Sequence, residues 1–134
     1  MSFSVDYEAH PGYLQATVTG FNSAGTVAKY LDDIRRECEQ RDCYRVLIVE
    51  ELTGPRLSVD DVFSVASDGA SRALGIFQAI AYVDESMGDM AYFAENVAIN
   101  RGIPVKVFSR VEDAREWLSG MDEDASDEQE IFRG

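Results

Sequence analysis

The sequence predicts one α/β domain with a mixed, mostly parallel sheet and the element order β-β-α-β-α-β-α-β-α. Three observations lead there. Val46-Leu47-Ile48-Val49 is an unbroken apolar run rich in β-branched residues and too short for a helix. That is the mark of a strand buried on both faces. Two alternating segments flank a His10-Pro11-Gly12 turn and read as an opening hairpin. Helix-like and strand-like stretches then alternate, as in parallel strands joined by right-handed crossovers.

Each element follows from local pattern. Phe3 to Tyr7 alternates apolar and polar residues, and Tyr13 to Gly20 supplies the second arm of the hairpin. Asn22, Ser23 and Thr26 are N-cap candidates for the first helix. Its apolar face runs Val27, Tyr30, Leu31, Ile34 and Cys38, at spacings of three and four. The central strand ends at Glu50 and Glu51, and Gly54-Pro55 turns the chain. Ser58 with Asp61 has capping-box spacing and starts the second helix. Val59, Val62, Phe63, Ala66, Ala70, Ala73 and Leu74 form its apolar face. Gly69 inside it weakens the helix by about 1 kcal/mol relative to alanine. Gly75 closes it, and Ile76 to Val83 reads as another buried strand, again ending in acids, Asp84-Glu85. Ser86 and Asp89 cap the third helix, and Gly102 stops it. Pro104 to Phe108 is a short outer strand, since proline is tolerated at a strand's first position. Ser109 and Glu112 cap the last helix, docked by Val111, Ala114, Trp117 and Leu118. Residues 1–120 are thus expected to form the domain, with 121–134 an acidic, disordered tail.

Composition narrows the function. The net charge is −13 across 134 residues, so nucleic acid and anionic membrane would be approached against a repulsive field. No apolar stretch reaches the roughly 20 residues that span a bilayer, which predicts no membrane insertion. The first residues lack the basic start and apolar block of a signal peptide, which predicts a cytoplasmic location. His10 is the single histidine, and Cys38 and Cys43 are the two cysteines. These are too few for a zinc site, and the cysteines read as small apolar residues in a reducing compartment. There is no Ser-His, Cys-His or phosphate-loop arrangement. The expectation is no catalytic activity, no cofactor and no metal.

Two groups of residues invite a functional reading. Glu50, Glu51, Asp60, Asp61, Asp84 and Glu85 stand at strand ends and helix starts, and they read as solvated ends and caps in preference to a cation or phosphoacceptor pocket. A receiver-type pocket is disfavoured further because Pro104 precedes Lys106 instead of following it, and because the chain opens with a hairpin. Phe63, Phe77, Met87, Met90, Tyr92 and Phe93 form an apolar cluster, and because Tyr92 and Phe93 lie off the main stripe of the helix after Ser86, that helix is apolar over a wide arc. A thick core, a partner patch, or a groove for a lipid or other apolar molecule lined by Phe63, Met87, Met90 and Phe93 would each explain it.

The strand Arg45-Val-Leu-Ile-Val-Glu50, the strand from Ile76 to Val83 with Asp84, and the closing Val-Lys-Val-Phe-Ser…Glu-Asp-Ala-Arg-Glu-Trp-Leu118 together carry a resemblance. The ordered set resembles the STAS domain of anti-sigma-factor antagonists and sulphate transporters, and looks closest to its divergent SpoIIAA-like branch. That branch has been grouped with lipid-transfer CRAL-TRIO domains. The resemblance implies a non-catalytic regulatory domain that recognises a protein partner, with a homodimer as one form of it. It implies contact through Leu52, Arg56, Leu57, Asp61 and Phe63, and a phosphoacceptor serine at Ser58. The pattern departs from the family's Asp-Ser-Ser-Gly. Ser58 lies between Leu57 and Val59, and Asp60 and Asp61 would repel an added phosphate.

Overall fold

The computed structural model describes residues 3–84 and 89–121. Strand β1 (Phe3–His10) and strand β2 (Tyr13–Phe21) form the hairpin, paired antiparallel in full register from Phe3↔Gly20 to His10↔Tyr13. Helix α1 (Ala24–Arg41) leads to β3 (Arg45–Thr53), α2 (Val59–Ala73) to β4 (Ala79–Val83), and α3 (Asp89–Ile99) to β5 (Val105–Phe108). A last helix, α4, covers residues 111–121. The five strands lie in the order β1-β2-β3-β4-β5, and every pairing after the hairpin is parallel. The predicted class and element order hold. Of the acidic tail expected over 121–134, Met121 belongs to α4 and the rest lies outside the described residues, as do Glu85, Ser86 and Met87.

This topology fixes where the helices go. Parallel strands added one after another in the same direction by crossovers of one hand place their helices on one face. On that face α1 covers Leu14, Ala16, Val18, Val46 and Ile48 with Val27, Tyr30, Ile34 and Cys38. Helix α2 packs beside α1 and α3 beside α2. Among the described helices α4 alone lies on the opposite face, where Ala114 and Leu118 pack on Leu47, Val49, Ala79, Ala81 and Val83. Both faces of the central run Val46–Val49 are therefore buried.

Element ends differ from the sequence reading for local reasons. Strand β4 begins at Ala79, not Ile76, because the Ile76 amide bonds back to the Ala73 carbonyl in a turn through Gly75, whose φ is +79°. Strand β5 begins at Val105, although the Pro104 carbonyl still accepts from the Ile80 amide. Strand β3 runs on through Glu50 to Thr53, because β2 continues to pair with it as far as Phe21↔Thr53. Its other neighbour, β4, stops at Val83 opposite Val49. Ser23 is the cap of α1 and Ser58 the cap of α2, their hydroxyls accepting from the Thr26 and Asp61 amides. Helix α4 starts after Arg110, whose carbonyl accepts from the Ala114 amide, one position later than a Ser109 cap implies. Cys38 and Cys43 are free thiols, and burial pushes the Cys38 thiol up to about 12.

Candidate functional site

Between the sheet and the layer of α1, α2 and α3 lies a cavity of about 410 Å³, within the range of small-molecule sites. Its sheet wall is Val46, Ile48, Glu50 and Leu52 of β3, Ile80 and Tyr82 of β4, and Val105 and Val107 of β5. These share a face because side chains alternate along each strand. The helix wall explains the space. Ala66, Gly69, Ala70 and Ala73 line it from α2, and Ala94 and Ala98 from α3. Small residues on the inward stripe leave the helices unable to fill the volume above the strands. At Gly69 an added carbon would stand 3.3 Å from Leu31 Cδ1, so the Leu31 side chain would have to give by a few tenths of an ångström.

One end of this apolar space is polar and buried. Tyr30 on α1 is completely buried, and its hydroxyl donates to Glu50 Oε2. Tyr82 on β4 donates to the same oxygen, and the two phenol oxygens are 3.3 Å apart. Asp84, also buried, follows β4 and lies beside Glu50, where its carboxyl raises the proton affinity of Glu50 further. The β3–β4 register, with Val49↔Val83 its last pair, brings Glu50 and Asp84 side by side. Burial pushes the Glu50 carboxyl up to about 7, against the lowering effect of the two tyrosine hydroxyls and with added upward pressure from Asp84. Burial likewise holds both phenols well above their usual range. A cleft holding convergent polar groups with shifted proton affinities has the physical character of a binding site.

The expectation of solvated strand ends thus fails at Glu50 and Asp84. It holds at Glu51, Asp60 and Asp61, which are exposed. Of the residues named for an apolar groove, Met90 lines the cavity. Phe63 does not: it stands on the outer side of α2, 45% exposed, with the Arg101 guanidinium 5.3 Å above its ring. Phe93 is half-buried and away from the cavity, and Met87 lies outside the described residues. Three residues named for partner contact, Leu52, Arg56 and Leu57, line the cavity. Asp61 and Ser58 are exposed at the start of α2.

Sequence reasoning missed Tyr30 and Tyr82 as functional candidates, since each reads as one more apolar residue in a buried stripe. The available signal was parity: Glu50 and Tyr82 occupy the same face of adjacent strands as Ile48 and Ile80. No family model matches the chain, and no curated protein matches it. Among the described residues no helix is long and apolar enough to cross a membrane.

Proposed function

We propose that this protein binds an apolar small molecule in the cavity between its sheet and helices, as a carrier or a sensor. The observation that carries the proposal is the pairing of small residues on α2 and α3 with a roomy apolar sheet face. A domain under selection for stability alone would gain by filling that space, at about 1 kcal/mol or more for each methylene-sized void. The site lies at the carboxyl ends of β3 and β4, where open α/β sheets place their ligands. Our reading takes the protein to act without catalysis, in the cytoplasm, where Cys38 and Cys43 stay reduced.

The test is native mass spectrometry of protein purified gently from its own host, beside the Ala70→Leu variant. A co-purifying mass of lipid size on the wild type, lost from the variant, is the expected result. Bare wild-type protein that also fails to take up any apolar probe in solution would end the carrier reading.

A second reading is recognition of a protein partner through the start of α2, as the STAS resemblance implies. It is favoured by Val59 and Phe63, which stand one turn apart and are 55% and 45% exposed. Ser58 at the head of that surface would be the switch. A phosphate mapped to Ser58 by fragmentation, or a kinase-like chain held in the same spectrum, would support it. Unmodified protein that crosslinks to no other chain in its host would oppose it.

A further inference from the structure

The polar end of the cavity has its protons already committed. A phenol carries one proton, and those of Tyr30 and Tyr82 both go to Glu50 Oε2. What remains there for an incoming group is the acceptor capacity of the Glu50 carboxyl, whose two oxygens can take more bonds than these two phenols make, with the buried Asp84 carboxyl beside it. An incoming group that donates hydrogen bonds finds acceptors there. Above the titration of Glu50, an incoming carboxylate meets at that end, among the described residues, other carboxylates at a depth where like charges repel far more strongly than in water.

The other charged groups lining the cavity do not alter this. Arg35 is engaged by Asp32 and Glu39, and Arg72 by Asp68 with Asp32 3.9 Å away, all on α1 and α2. Arg56 is exposed on the loop before α2. Glu95 of α3 accepts from the Val107 amide at 2.6 Å. Among the described residues the buried end is acidic, and the bases that line the cavity are carried by α1, by α2 and by that loop.

From this geometry we propose that the cavity selects an apolar molecule whose head group donates hydrogen bonds and bears no negative charge, an amine or alcohol in preference to a fatty-acid anion, with the head seated against Glu50 and Asp84. This rests on the cavity reading above and names its ligand class. The proton affinity of Glu50 agrees, since a donor head would stabilise its carboxylate form and a carboxylate head would oppose it.

The test is displacement of a fluorescent apolar dye from the full chain at a pH of about 8, where Glu50 is mostly ionised. The competitors are decylamine, decanol and decanoate, equal in chain length and different in head. Decylamine and decanol are expected to displace the dye at concentrations at least about tenfold below decanoate, the effect of one charge-assisted hydrogen bond. Glu50→Gln, folded by circular dichroism, should shrink the gap between decylamine and decanoate to within about threefold. Asp84→Asn should narrow it in the same direction and serves if Glu50→Gln does not fold. Decanoate binding as well as the other two would overturn the head-group inference while leaving the cavity reading intact. An unchanged order in both folded variants would remove Glu50 and Asp84 from the assignment. If the dye and all three competitors fail to bind, the cavity reading itself falls and takes this inference with it.

Discussion

The hydroxyls of Tyr30 and Tyr82 meet 3.3 Å apart over one oxygen of Glu50, although one comes from α1 and the other from β4. A helix and a strand far apart in the chain are thereby tied through a single carboxyl. Its burial has a measurable consequence for stability against pH. Glu50 has an ordinary value of 4.5 and a folded value of about 7, so between these the folded state holds more protons than the unfolded one. Stability from this group is therefore greatest below about 4.5, falls as pH rises toward about 7, and is level above that. The whole change amounts to about 3 kcal/mol. Glu50→Gln removes it, so urea midpoints of the variant should gain on wild type between those pH values. Parallel curves would show that the carboxyl is solvated.

Truncating either phenol leaves Glu50 short of a donor. Tyr30→Phe and Tyr82→Phe should each cost about 1.5–3 kcal/mol, the range for hydrogen bonds to charged groups. Because both serve one oxygen, the double variant should depart from the sum by about 0.5 kcal/mol or more. Denaturant titration of the four proteins measures that coupling.

Ala70 is buried on the inner stripe of α2 and lines the cavity. Ala70→Leu should enter the cavity without forcing neighbours apart. The expected outcome is an unchanged or higher melting temperature together with loss of apolar-dye binding by about tenfold or more. A marked fall in melting temperature would mean that the space over β3 and β4 is narrower than described.

Gly54 turns the chain after β3 with φ +104°, and an added Cβ would stand 2.8 Å from Phe21 Cε2. The Asn22 side chain donates to the Pro55 carbonyl at 3.0 Å and its amide to the Thr53 carbonyl at 2.7 Å, which pins the same turn to the end of β2. Gly54→Ala should cost about 1–3 kcal/mol through backbone strain and a displaced ring. Calorimetry on the variant checks this.

Ser58 caps α2, so Ser58→Ala should lose about 1 kcal/mol, whereas Ser58→Asp should nearly keep wild-type stability because aspartate is an equally good cap. If Ser58 is also a phosphoacceptor, only Ser58→Ala and Ser58→Asp proteins will lack a phosphate that wild type acquires in its host. Thermal unfolding and intact mass on the three proteins separate the two roles.

The architecture was legible in the sequence because it rests on signals a few residues long. The run Val46–Val49, the His10-Pro11-Gly12 turn and the Ser58–Asp61 spacing each specify their element almost unaided. The site was less legible, because it depends on distance across elements. Whether Glu50 meets water or two phenols is decided by α1 lying across the end of β3, which no local pattern reports. Phe63 shares a helical stripe with Val62 and Ala66, yet it falls on the outer edge, where Arg101 covers it. The cavity was the hardest feature to read, since alanines and glycine at helical spacing describe a tightly filled core as well as an open one.

The sheet is laid down in the order in which the chain is written, with each new strand pairing to the one before it. During synthesis every crossover unit can therefore add to a finished edge as soon as it emerges, starting from the hairpin, with no strand held waiting for a distant partner. The exception is the far side of the sheet. Among the described residues, Leu47, Val49, Ala81 and Val83 are covered by α4. A nascent chain thus carries that apolar face uncovered until α4 leaves the ribosome, which is the interval in which it is most exposed to aggregation.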